Sequence, residues 1–273
     1  MNNRSAKIIS RVAKRYFSDG VSRAAAQLAY YLFFSIFPIL ILVNSIISRF
    51  DVNIIYILRR FSYVLPEQII DMIVDYLDYL SRTDAPFIMG GAIVMTLYAM
   101  TRSLNSLLTS VRQAYRIKKA GMVNYMTAAM LSAFILLSFF LLSMVVLGGE
   151  FAVSKLEEYI WIPDGIRSFL QLLKFVLLPV YMFVFLCGFY YIVPSRRYPV
   201  RSCMPGAIFA VLGLTVSTAL FSYYVSHFSN YSVLYGSIAA VMILMVWLHI
   251  VSSILILGGE LNGVIIEMDD HIL

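Results

Sequence analysis

"VMILMVWLHIVSSILILGGELNG", residues 241–263, is the stretch on which the fold turns. From Val241 through Leu257 the apolar run is broken only by His249, Ser252 and Ser253; Gly258, Gly259 and Glu260 follow. About 20 mostly apolar residues cross a bilayer's hydrocarbon, so the run is long enough to span. It does not alternate with period two. In lipid the backbone must satisfy its own hydrogen bonds, which leaves a helix. The two glycines first read as a helix stop. Yet His249, Ser253, Ile256 and Glu260, with Ser252, Gly259 and Gly263 alongside, recur at spacings of three and four, one side of a helix. That period continues past the glycines. The expectation is one helix running through them, with the glycines admitting a close neighbour.

The rest of the chain has the same character. Of 273 residues, 61% are hydrophobic and 13% charged, against roughly half and a quarter in soluble domains. One soluble core cannot hide that excess. The fold class is therefore all-α: a polytopic membrane protein forming a single membrane domain over residues 1–273. Six transmembrane helices are expected, at about 26–48, 86–105, 122–147, 172–193, 205–226 and 235–258, with Pro38 and Pro179 as kinks and Pro205 in a first turn. Helical segments are expected outside the membrane at 51–82 and 150–170. Residues 1–20 hold an amphipathic interfacial helix. Arg4, Lys7, Arg11, Lys14 and Arg15 share its basic side, and Ile8, Ile9, Val12, Tyr16 and Phe17 its apolar side, which suits an anionic leaflet.

The net charge of +6 is explained by where the charges sit. Fourteen of the 21 Lys and Arg precede span one or lie at the junctions of spans two with three and four with five. The opposite loops carry the other seven, with 10 of the 15 acids. The positive-inside rule then puts both termini in the cytoplasm. With the charge so accounted for, no nucleic-acid partner is expected. Cys187 and Cys203 read as free thiols.

Ionisable and polar groups within spans need a partner or a cavity. The candidates form an intramembrane polar network: Arg23, Gln27 and Tyr31 on span one, Arg102 and Asn105 on span two, His249, Ser253 and Glu260 on span six. Arg102 lies roughly 25 Å along its helix from Pro86, near the hydrocarbon edge. Glu260 reaches a similar depth from the other direction, so the expected ion pair is Glu260 with Arg102 or Arg23. Gly206, Ala210, Gly213 and Ser217 make a helix-packing stripe on span five. No P-loop, nucleophile elbow, or paired-His or Cys/His metal spacing is present. No catalytic residue, metal or cofactor is expected.

Four stretches in their order carry a resemblance: "AAAQLAYYLFFSIFPILIL" (24–42), "LYAMTRSLNSLLTSVRQAYR" (97–116), "YYIVPSRRYPVRSCMPGAIFA" (190–210) and "LYGSIAAVMILMVWLHIVSSILILGGELNG" (234–263). They resemble the YihY/BrkB family of bacterial inner-membrane proteins. The resemblance implies six spans, cytoplasmic termini and a role in the cell envelope; members have been linked to serum resistance and envelope-lipid phenotypes. Its old label, ribonuclease BN, finds no nuclease carboxylate set here. Gly258, Gly259 and Glu260 match the family's Gly-x-Glu motif, with Gly259 where Ala is common. The expected function is a transporter or flippase of a lipid-linked or amphipathic envelope substrate in the bacterial plasma membrane. The alternative is a non-transporting scaffold for envelope biogenesis; a ribonuclease ranks last. Membrane lipids are the expected partners, and a homo-oligomer is compatible with the sequence.

Overall fold

The computed structural model describes residues 2–47, 70–71, 73–75, 78, 86–117, 125–135, 137–138, 141, 179–194, 198–227 and 238–270. Every regular element among them is helical. They are α1 (Asn2–Ser18), α2 (Val21–Ile47), α3 (Pro86–Ala114), α4 (Tyr125–Ile135), α5 (Pro179–Ile192), α6 (Met204–His227) and α7 (Ile238–Asp270), with a 3-10 turn, Val200–Ser202, leading into α6. Among the described residues three stretches are long and apolar enough to cross a bilayer: Val21–Ile41, Val200–Tyr224 and Val241–Asp269. The chain is an all-α membrane protein. Of the segments expected outside the membrane, residues 70–71, 73–75 and 78 are helical; 51–69 and 150–170 lie outside the described residues.

Helix α7 runs unbroken through Gly258 and Gly259. Its 33 residues reach about 50 Å, well beyond a hydrocarbon core of about 30 Å. Helices α1, α2, α3 and α6 all pack against it. Its buried line is Leu244, Leu248, Ser252, Ile256, Gly259 and Gly263, while His249 and Ser253 are only half-buried. The face expected from the sequence is thus rotated by one residue toward Ser252.

The helix ends meet at one end of the bundle. The C-terminal ends of α3, α5 and α7 come together there with the N-terminal ends of α2 and α6 and with α1. The main core lies at this end, built on Leu28, Leu108, Val111, Tyr190, Val193 and Ile256. Along the shafts large apolar side chains point outward, among them Val94, Met130, Leu212, Leu220 and Val246. Such an outer surface suits lipid.

Two turns fix this end. Gly20 adopts φ +68° between α1 and α2, a left-handed conformation that costs a residue with Cβ roughly 1–2 kcal/mol. Gly20→Ala is expected to lower stability by about that amount, read as a loss of thermal stability in detergent. At the end of α3 the Ile117 N–H reaches the Arg112 carbonyl and the Arg116 N–H reaches that of Gln113, each at 2.9 Å. This is a Schellman closure, whose left-handed position usually holds glycine. Here it is Arg116, at φ 55°.

Candidate functional site: an arginine–carboxylate cluster where the helix ends meet

Because lipid supplies no hydrophobic drive between helices, close backbone approach and polar contacts hold them together. Glycines make the approach. A Cβ built on Gly206 would lie 2.1 Å from the Gly258 carbonyl oxygen, and one on Gly263 would lie 2.3 Å from that of Ala114. On Gly259 it would come within 3.0 Å of Val111 Cγ2, tight but against a side chain. The glycines of 258–263 therefore serve two seams: Gly258 against α6, Gly259 and Gly263 against α3.

Asn262 pins the first seam. Its amide accepts from the Gly206 N–H at 2.7 Å and donates to the Cys203 carbonyl at 3.0 Å. The first N–H groups of a helix have no partner within it, so α7 caps α6 from outside. Tyr190 adds a hydroxyl donated to the Leu255 carbonyl at 2.6 Å. Asn262→Ala leaves a buried donor and acceptor unfilled; it is expected to cost about 2 kcal/mol, measured as a fall in the thermal midpoint in detergent.

The second seam is charged. Glu260 is 1% exposed, and its partner is Arg15 of α1, 8% exposed, with Nη1 at 3.5 Å. The same Nη1 donates to the Ala114 carbonyl at 3.1 Å, and Nη2 lies 2.5 Å from Glu267. One guanidinium thus ties α1 to two carboxylates about two helical turns apart on α7 and to an open carbonyl at the end of α3. Arg116 extends the network, with Nη1 at 3.0 Å from Asp19 and Nε at 3.6 Å from Glu267. The Gln113 amide donates to the Asp19 carbonyl at 3.3 Å, and Arg4 pairs with Asp269 at the rim. Arg112, also buried, donates to the Val193 carbonyl at the end of α5 at 3.1 Å. Cations therefore meet the negative ends of the helix dipoles. Burial lowers the Arg112 guanidinium from its ordinary value and pushes the Tyr115 phenol well above its own.

The expected pairing of Glu260 with Arg102 or Arg23 is corrected. Arg23 is exposed on α2, as is Gln27. Arg102 lies elsewhere, its guanidinium carbon 5.4 Å from the Tyr98 ring centre and 5.7 Å from that of Tyr125. Tyr31 is half-buried on α2, its ring centre 5.4 Å from that of Tyr30. Asn105 is half-buried, and its carbonyl accepts from Thr109 one turn on. Ser253 donates to the His249 carbonyl at 2.8 Å, so its hydroxyl is used within α7. The eight residues do not form one network: Arg102 is with Tyr98 and Tyr125, Glu260 is with Arg15, and His249 and Ser253 remain local.

Arg15 was assigned to the basic stripe of α1. At 100° per residue it stands about 20° from Ile8, on the stripe's edge nearest the apolar side. The side turned to the bundle is centred there, holding Ile8, Val12 and Tyr16, while Ile9 and Phe17 are 69% and 81% exposed. That edge position was the available signal. Nothing local marks Arg116.

A family model described as virulence factor BrkB matches residues 12–271, from Arg15's half of α1 through the whole of α7. A ribonuclease-like protein of Bacillus subtilis, YfkH, is 24% identical over 249 residues, 90% of each chain. A UPF0761 membrane protein of Pseudoalteromonas atlantica is 25% identical over 258 residues, covering 90% of this chain and 82% of its own. Another, from Aliivibrio salmonicida, is 25% identical over 274 residues, covering 95% and 83%. No solved structure matches. Since the match takes in every helix of both seams and the charged cluster between them, the chain belongs to the BrkB family of membrane proteins.

Proposed function

We propose that this protein is a multi-pass transporter or flippase of a lipid-linked or amphipathic envelope substrate in the bacterial inner membrane, and not an enzyme. The observation that carries the reading is the Arg15–Glu260 pair, buried at the end of a spanning helix and shared among α1, α3 and α7. Ionisable groups at such positions are costly and mark working sites by default. A pair that ties an amphipathic surface helix to the bundle can close a mouth and release it when α1 moves in the interface. The reading puts both termini in the cytoplasm, and its support is the 14 of 21 basic residues that the sequence groups before span one and at the junctions of spans two with three and four with five.

Proteoliposomes with fluorescent phosphatidylglycerol are expected to move the probe between leaflets faster than protein-free vesicles. Equal rates would remove the reading. The scaffold alternative draws on the tight glycine seams, where backbones touch along α6, α7 and α3. It predicts protein partners that co-purify and no lipid movement.

A further inference from the structure

We propose that Arg102, with Tyr98 and Tyr125, forms a binding site for the phosphate of a phospholipid headgroup on the outer surface of the bundle. Arg102 lies on α3 about 24 Å from Pro86, at the depth where hydrocarbon gives way to headgroups. It shares the outward side of its helix with Val94, Met95 and Tyr98, which are 67%, 55% and 50% exposed. The surface around it is therefore apolar and exposed, as suits lipid.

Among the described residues no carboxylate pairs with Arg102. Among the described residues its buried Nε has no hydrogen-bond partner. Its neighbours on α3 and α4 are Tyr98 and Tyr125, which offer ring faces and neutral hydroxyls. Two rings within 6 Å stabilise a cation and hold the guanidinium in place, but they supply no negative charge. An arginine at this depth takes its anion from outside, and the abundant anion there is lipid phosphate. The planar fork of arginine accepts phosphate through two parallel hydrogen bonds. Tyrosine hydroxyls at the rim add donors to the same headgroup. The competing account is that Arg102 extends to water and binds nothing.

This deepens the transport reading by naming the group gripped on the substrate, while binding and movement are measured separately. The full-length protein in mild detergent is titrated with phosphatidylglycerol and followed by native mass spectrometry. One retained lipid is expected to weaken about tenfold in Arg102→Gln. Arg102→Lys should fall between the two, keeping the charge but not the fork. Unchanged lipid binding in Arg102→Gln overturns the site. If that variant does not survive extraction, Tyr125→Leu, which removes one ring, is expected to weaken binding about threefold, and no change there overturns it equally. Inorganic phosphate at millimolar concentration is expected not to displace the lipid; displacement overturns the lipid assignment in favour of a soluble phosphate. A wild-type protein that binds the lipid but moves no probe in vesicles defeats the transport reading and leaves this site standing.

Discussion

Gly206→Ala is expected to destabilise the bundle by about 3 kcal/mol or more, the upper end of overpacking costs. The added Cβ meets the Gly258 carbonyl oxygen at 2.1 Å and the Asn262 amide nitrogen at 2.5 Å. Neither can yield cheaply. The carbonyl is backbone of α7, and Asn262 is held by its two bonds to α6. The helices must separate, and both capping bonds lengthen with them. Gly91→Ala is the matched control, because nothing lies within 4 Å of its Cβ; an interior Gly→Ala there should be neutral or slightly favourable. Thermal unfolding in detergent separates the cases. Equal midpoints for the two variants would mean that the α6–α7 seam is looser than described.

Arg15→Gln should cost about 3–5 kcal/mol, the range for removing one member of a buried pair. It strands Glu260 at 1% exposure, empties one side of Glu267 and uncovers the Ala114 carbonyl. Glu260→Gln should cost distinctly less. Arg15 keeps Glu267 at 2.5 Å and Ala114 at 3.1 Å, and the new amide is neutral. The double variant should then be more stable than Arg15→Gln alone, because no charge is left buried opposite a missing partner. A symmetric pair of losses, or a double variant that simply adds them, contradicts the arrangement. If the pair also closes a mouth, Glu260→Gln will raise lipid movement in vesicles while sparing the fold. Loss of neither stability nor movement control would leave the pair without a role.

Arg116 has the same logic in its backbone. A non-glycine residue at a left-handed helix end costs roughly 1–2 kcal/mol. That geometry places its side chain between Asp19 and Glu267, joining the loop after α1 to α7. Glycine would suit the turn and lose both contacts.

The sequence by itself determined the class of the molecule. An apolar run of spanning length without alternation has only a helix open to it in lipid, and the period of the small residues carried that helix through Gly258 and Gly259. The stripe of Gly206, Ala210 and Gly213 marked a packing face for the same reason: small residues at helical spacing have little other use. The tertiary structure alone decided which charges meet. Glu260 was legible as a group needing a cation, but depth along two helices does not say which helices are neighbours or how each is rotated. A rotation of one residue moved the buried line of α7 from His249 and Ser253 to Ser252. Arg15, assigned to the headgroups on the edge of an amphipathic stripe, turns inward because α1 packs on α7 by that edge. Arg102, expected to pair with a carboxylate, stands instead beside the rings of Tyr98 and Tyr125, on two different helices. Helix formation is written in local period; the pairing of charges depends on the rotation and adjacency of helices far apart in the chain, which local period does not encode.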